Sequence, residues 1–265
     1  MSDTGELLHA SGICKSHPDA AGNQVRALQD VSVRVDRREF VSVIGPSGSG
    51  KSTFLRIVAG LDRPSAGQVK VAGTLVSRPG ADRGMVFQEY ALLPWKTTQA
   101  NIEFGPLLKG VPKAERAEIA RHFIELVGLQ GAERKYPHQL SGGMRQRAAV
   151  ARALANNPAI LLMDEPFAAV DAMTRQHLQE ELTAISAAER TTVLFVTHSV
   201  EEAVFLSDRV VVLSGRPGRV VADLRIEIDR PRRWSELARD GRFAMYCEQL
   251  TSLLHGPGIM GASGG

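Results

Sequence analysis

The sequence predicts an α/β fold built on a mostly parallel sheet, and three observations carry that prediction. Compact apolar runs bounded by turn residues recur as "FVSVIG", "AILLMDEP", "RTTVLFVTHS" and "DRVVVLSG", each the length of a strand buried on both faces. Helical stretches alternate with them, which implies parallel strands joined by crossovers. The first run, Phe40 to Gly45, passes directly into a glycine-rich loop and then into the helical "FLRIVAGL".

Each element follows from its local pattern. The first forty residues alternate apolar and polar, as in "ALQDVSVRV", and read as strands of an N-terminal antiparallel β subdomain with one face exposed. "SAGQVKVAGTLV" returns to strand character, and "RGMVFQE" is a further short strand. From about Tyr90 to Asn157 the pattern turns helical, "KAERAEIARHFIELVGL" being its clearest amphipathic segment, so an inserted α-helical subdomain is expected over about 90–157. "VEEAVFLS" is a short helix and Gly215 to Ile228 reads as a hairpin. Residues 1–229 then form the main domain, and 230–265 a short helical extension with a flexible tail, "GPGIMGASGG".

Composition narrows the class. Of 265 residues, 43% are apolar and 23% charged, ordinary values for a soluble globular chain. A net charge of +3 with no run of like charges argues for neither a nucleic-acid nor a membrane-surface partner. Cys14 and Cys247 make neither a disulfide framework nor a metal site and fit a reducing compartment. "MSDTGELLHASG" has no basic start and no apolar run, so no signal peptide is expected. No apolar run approaches the roughly 18 residues a spanning helix needs, so any membrane role is expected through a partner.

Chemistry concentrates in three stretches. "GPSGSGKS" fits G-x-x-x-x-G-K-[ST] in full, in the strand–loop–helix context that a phosphate loop requires. Gly45, Pro46, Ser47, Gly48, Ser49, Gly50, Lys51, Ser52 and Thr53 are therefore the candidate nucleotide-binding residues. Backbone N–H groups and a helix N-terminus there suit an anion, Lys51 suits the β- and γ-phosphates, and the Ser52 hydroxyl suits Mg2+. "AILLMDE" is an apolar strand ending in two carboxylates. Beside such a loop Asp164 suits the Mg2+ shell, and Glu165 suits a general base acting on water.

The third stretch, "LSGGMRQR", places Ser141 as the cap of a helix running from Gly142 towards Ala155. A cap leaves the two glycines unexplained, because each costs roughly 1 kcal/mol against alanine in a helix. Close approach of an anion to bare N–H groups explains them. Since residues 45–52 already serve the chain's own phosphates, this second site is expected to face the nucleotide of another chain.

Taken in order, "GPSGSGKS", Gln88, "LSGGMRQR", "LLMDEP", Asp171 and His198 resemble the ATP-binding subunit of ATP-binding cassette (ABC) transporters, over roughly Leu7 to Ile228. The resemblance implies a P-loop NTPase (RecA-like) core and an ATPase using ATP and Mg2+. It also implies a head-to-tail dimer of two copies, integral-membrane permease subunits as partners, an indirect link to a solute-binding protein, and no nucleic acid. The chain is then peripheral to the cytoplasmic face of the cell membrane. By the same resemblance Ser141, Gly142, Gly143 and Met144 contact the partner's nucleotide. Gln88 touches Mg2+ and the attacking water, His198 clasps the γ-phosphate, and Asp171 lies in the loop at the dimer seam.

The sequence departs from that family at several points. The aromatic residue that stacks on adenine is matched by His17; alternatively His17 lies in a mobile loop and Val25 contacts the ribose. Met144 stands where Gln is usual, Ala168 and Val170 where Ser or Gly and Leu are commoner, and Ser199 where an acidic residue is frequent. None of these removes a phosphate, metal or proton-transfer group. "LSGGMRQR", "QEYALLPW" and "FLSDRVVVLSGRPGRVV" together resemble the nitrate/sulfonate/taurine importer subfamily. There the stretch from Glu89 to Trp95 lies where permeases dock, although Trp95 could equally pack inside. Competing readings are a non-transport ABC ATPase acting on DNA or ribosomes, and a P-loop small-molecule kinase.

Overall fold

The computed structural model describes residues 5–18, 22–168, 170–237 and 239–256. Two compact units emerge: Met1–Gly80 with Thr191–Gly265, and Ala81–Arg190.

In the first unit, β1 (Glu6–Pro18) and β2 (Gln24–Asp36) pair antiparallel, with Ala10 opposite Val33 and Leu8 opposite Val35. The alternation along β2 becomes burial: Leu28, Val31, Val33 and Val35 are inside and the residues between Val31 and Val35 outside. The other edge of β1 carries β4 (Ala66–Val71), and β4 carries the short β5 (Thr74–Leu75). The second sheet of this unit centres on β3 (Phe40–Ile44), buried along its whole length. On either side lie β8 (Thr192–Val196) and β9 (Arg209–Leu213), both parallel to it. Continuous apolar sequence is what a strand covered on both faces requires. β10 (Val220–Arg225) closes the edge antiparallel to β9, so the hairpin expected within Gly215–Ile228 contributes only its second strand, the first being β9, with the turn at 214–219.

Two helices of this unit matter for the site. α1 (Lys51–Ala59) follows the glycine-rich loop, and α7 (Val200–Leu206) is capped by Ser199, whose Oγ accepts from Glu202 N. The C-terminal arm, with α8 (Trp234–Leu237) and α9 (Gly241–His255), folds back onto α7. Arg232, only 4% exposed, donates to the carbonyls of Val204, Phe205 and Ser207 at the end of α7, and to those of Ile226 and Ile228. Arg230 reaches Leu206 O in the same way. Helix ends orphan their last carbonyls, and here a neighbouring segment supplies the donors. Burial, the largest cause, and the adjacent Arg230 push the Arg232 guanidinium down to about 10. The Trp234 indole stacks on Phe205, with centroids 4.4 Å apart and planes 3° from parallel.

In the second unit, β6 (Arg83–Val86) and β7 (Ile160–Asp164) run parallel with Gly84 opposite Leu161. The helices are α2 (Thr98–Ile102), α3 (Phe104–Leu108), α4 (Lys113–Leu126), α5 (Gly142–Leu154) and α6 (Ala172–Ala188). Helix begins at Thr98 rather than near Tyr90; residues 87–97 are irregular, with Tyr90 and Ala91 both at positive φ. α6 is not among the helices expected from the sequence pattern. Its apolar face, Leu178, Leu182 and Ile185, is spaced as a helix requires and is buried. One ion pair ties α5 to α6, Arg147 Nε lying 2.9 Å from Glu181 Oε2, and within α6 His177 Nε2 lies 3.0 Å from Glu181 Oε1.

Candidate functional site

The glycine-rich loop leaves β3 at its C-terminal end and turns into α1. Gly50, the N-cap, sits at φ 87°, and a Cβ there would stand 2.6 Å from Leu28 Cδ2 and 2.9 Å from Ala27 O. Only glycine combines that left-handed backbone with so close an approach of β2. Phe54 N donates to Gly50 O, so the N–H groups at the start of α1 face the loop without carbonyl partners in the helix. Lys51 is 6% exposed, and its Nζ donates to the carbonyls of Gly45 and Pro46 at 2.8 and 3.0 Å. Ser49 is fully buried and its Oγ has no hydrogen-bond partner among the described residues. Ser47, Gly48 and Ser52 are exposed, Pro46 and Thr53 half-buried. The loop brings a helix N-terminus and one ammonium together, chemistry suited to polyphosphate.

His198 lies in the same unit, exposed just beyond β8, whose Val196 is level with Val43 of β3. The phosphate loop and His198 therefore leave the C-terminal ends of neighbouring parallel strands, the edge at which open α/β sheets bind ligands. His17 is exposed near the end of β1, paired with Val25, so it sits in a strand rather than a loop.

The second unit repeats that arrangement for the acidic residues. Gln88 is exposed two residues beyond β6, Asp164 ends β7, and Val86 is level with Met163. Glu165 follows at φ 42°, a left-handed backbone that a non-glycine residue holds only against strain of order 1–3 kcal/mol. Such strain clusters at working sites. Asp164, Gln88 and Ser52 all offer oxygen donors, the chemistry of a hard cation such as Mg2+.

Ser141 caps α5, its Oγ accepting from Met144 N at 3.3 Å. Gly142 and Gly143 therefore begin the helix with N–H groups that no turn of the helix can satisfy. Their surroundings differ. A Cβ on Gly142 would meet nothing within 4 Å, whereas on Gly143 it would stand 3.3 Å from Thr174 Cγ2 and 3.6 Å from Leu178 Cδ1. The first turns of α5 and α6 thus lie together, and α6 is capped by Asp171, whose Oδ1 accepts from Thr174 N at 3.0 Å. That backbone hydrogen bond is the first cause holding the Asp171 carboxyl below its ordinary value.

Two residues of this unit escape a reading of the sequence. Arg152, at the far end of α5, donates to the carbonyls of Ala91 and Tyr90 and so fixes the turn that follows Gln88. Asn101 is fully buried and holds the loop before it: its Nδ2 donates to Leu93, Lys96 and Thr97 carbonyls and its Oδ1 accepts from Leu93 N. Trp95, inside that loop, is 70% exposed and packs into no core. The bonds go to backbone carbonyls, which carry no sequence signal; a lone Asn just inside a cap was the only hint.

Comparison with known proteins agrees with this geometry. The ABC transporter family matches residues 28–168. An uncharacterised ABC transporter ATP-binding protein of Methanocaldococcus jannaschii is 59% identical, over 80% of this chain and 79% of its own length. A nitrate import ATP-binding protein of Synechocystis is 46% identical, over 88% and 89%. A solved ATP-binding cassette, a dimer in a post-hydrolysis state with ADP and Pi, superposes with TM-score 0.72 at 31% identity, covering 84% of this chain and all of that one. Among the described residues no helix is long and apolar enough to cross a membrane. With its strand-loop-helix phosphate cradle, its strained acidic strand end and its capped glycine helix start, this chain belongs to the ABC transporter ATP-binding family, and it is an ATPase.

Proposed function

We propose that the chain is the ATP-hydrolysing subunit of an importer for a small anionic solute of the sulfonate, taurine or nitrate kind. The nitrate-import relative supports that solute class. ATP closes a head-to-tail dimer, hydrolysis reopens it, and a membrane permease follows the motion. The loop 45–53 cradles the phosphates and Lys51 leaves the Gly45 and Pro46 carbonyls for the β- and γ-phosphates. Ser52, Asp164 and Gln88 would hold Mg2+, which would neutralise phosphate charge. Glu165 takes a proton from the attacking water, Gln88 orients that water, and His198 donates to the γ-phosphate. His17 offers its ring to the adenine.

The observation that carries the two-chain reading is Gly142: a helix start where a Cβ would meet nothing within 4 Å, in a chain that already has a complete phosphate loop. Ser141, Gly142, Gly143 and Met144 then close on the nucleotide of the second copy, with Asp171 at the seam. Chains carrying Lys51→Ala or Ser141→Arg should each be inactive as homodimers. Mixed together they should regain ATP hydrolysis, because one composite site per mixed dimer is intact. A mixture that stays inactive although both variants are folded and dimerise overturns the reading.

A further inference from the structure

We infer that Arg216 is an additional nucleotide-binding residue, a cation on the outer wall of the phosphate loop that raises affinity for polyphosphate without taking part in the chemical step. The inference rests on reading residues 45–53 as the triphosphate cradle. Arg216 belongs to "SGRPGR", the turn between β9 and β10, which the proposed mechanism leaves without a role.

The turn is built as a rigid bracket. Ser214 N donates to Arg219 O, and Ser214 Oγ accepts from Arg219 N while lying 3.0 Å from the carbonyls of Gly215 and Pro217. It is bolted to β2: Gly218 N donates to Ala27 O, Gln29 N donates to Gly218 O, and Arg219 Nη2 donates to Gln29 Oε1. It is also pressed against the phosphate loop, since a Cβ on Gly218 would fall 2.0 Å from Ser49 O. No side chain fits there, so glycine lets the two loops touch.

That contact fixes where Arg216 stands. Its Nη2 lies 4.0 Å from the point where a side chain on Gly48 would begin. Arg216 is exposed, and among the described residues it forms no hydrogen bond or ion pair. By contrast Arg219 in the same turn is committed to Gln29, and Arg209 on β9 to Glu39 and Asp223. A guanidinium held beside an anion-binding loop, with no counter-charge of its own, is a long-range attractor for a ligand of several negative charges. Its effect scales with ligand charge and weakens with salt.

The test is calorimetric titration of the full-length protein with MgATP, ADP and AMP at low and physiological salt, together with steady-state hydrolysis. Arg216→Ala should raise the dissociation constant and KM for ATP about fivefold while kcat stays within about twofold. Arg216→Glu should raise them further, and Arg216→Lys should restore most of the affinity. The loss should be smaller for ADP, smallest for AMP, and should shrink as salt is added. Arg225→Gln, which removes the same charge from the opposite, exposed end of β10, should have little effect; an equal loss there means a diffuse field and overturns the assignment to Arg216. Unchanged ATP affinity in Arg216→Ala also overturns it, including the case in which dimerisation alone weakens. Lys51→Ala separates the two readings: if that variant binds MgATP normally, the cradle itself is misassigned.

Discussion

Thr174 leaves little room beside Gly143 for a side chain: a Cβ there would lie 3.3 Å from Thr174 Cγ2. One glycine of the pair therefore leaves room for the packing of α5 on α6, whereas at the other, Gly142, a Cβ would meet nothing within 4 Å. Gly142→Ala should leave thermal stability unchanged or raised by up to about 1 kcal/mol through helix propensity, yet it should strongly reduce ATP turnover. Gly143→Ala must displace Thr174 and should gain no stability. Melting curves and phosphate release on the two variants check this; a fully active Gly142→Ala sinks the idea that an outside ligand approaches that helix start.

Asp171 caps α6 as a carboxylate, with its pKa held below 3.8 chiefly by the Thr174 backbone N–H. A depressed folded-state value means the unfolded chain binds the proton more readily, so the cap stabilises above pH 3.8 and is lost as pH falls through the lowered value. Asp171→Ala should therefore lower the urea midpoint at pH 7, and the gap to wild type should narrow below pH 3.8. Carbon-13 titration of the Asp171 carboxyl checks the direction independently.

Trp95 is presented on a loop that Asn101 holds rigid from beneath. An exposed indole on a fixed loop has the character of an interface anchor. Trp95→Ala should leave melting temperature and basal ATPase near wild type while releasing the chain from detergent-solubilised permease in a pull-down. Asn101→Ala, which removes four backbone contacts from inside, should lower stability as well, by about 2 kcal/mol or more. Retention of permease binding in Trp95→Ala places the contact elsewhere.

The phosphate loop, the buried parallel strands and the capped start at Ser141 were legible because each is a local pattern with a local cause: a glycine that must adopt φ 87°, a continuous apolar run, a hydroxyl three residues before an orphan N–H. The strain at Glu165 was not legible, since nothing in its type announces a left-handed backbone. Nor were the grips of Arg152 and Arg232, whose acceptors are carbonyls common to every residue. α6 had its apolar spacing and its Asp171 cap in plain view. Its many polar residues, "TRQHLQEE", masked a face only three residues deep.

The division of the chain also sets a timetable. β3 receives both of its parallel neighbours, β8 and β9, from beyond residue 191, and α7 receives its closing donors from Arg230 and Arg232. A polypeptide growing from its N-terminus therefore makes the phosphate loop early but cannot seat it. The continuous stretch 81–190 is complete first, and the flanking pieces close around one another only once Arg230 and Arg232 have been made. Until β8 and β9 are made the newborn chain carries a nucleotide loop on an unpaired strand, and the two arginines that follow them close the end of α7.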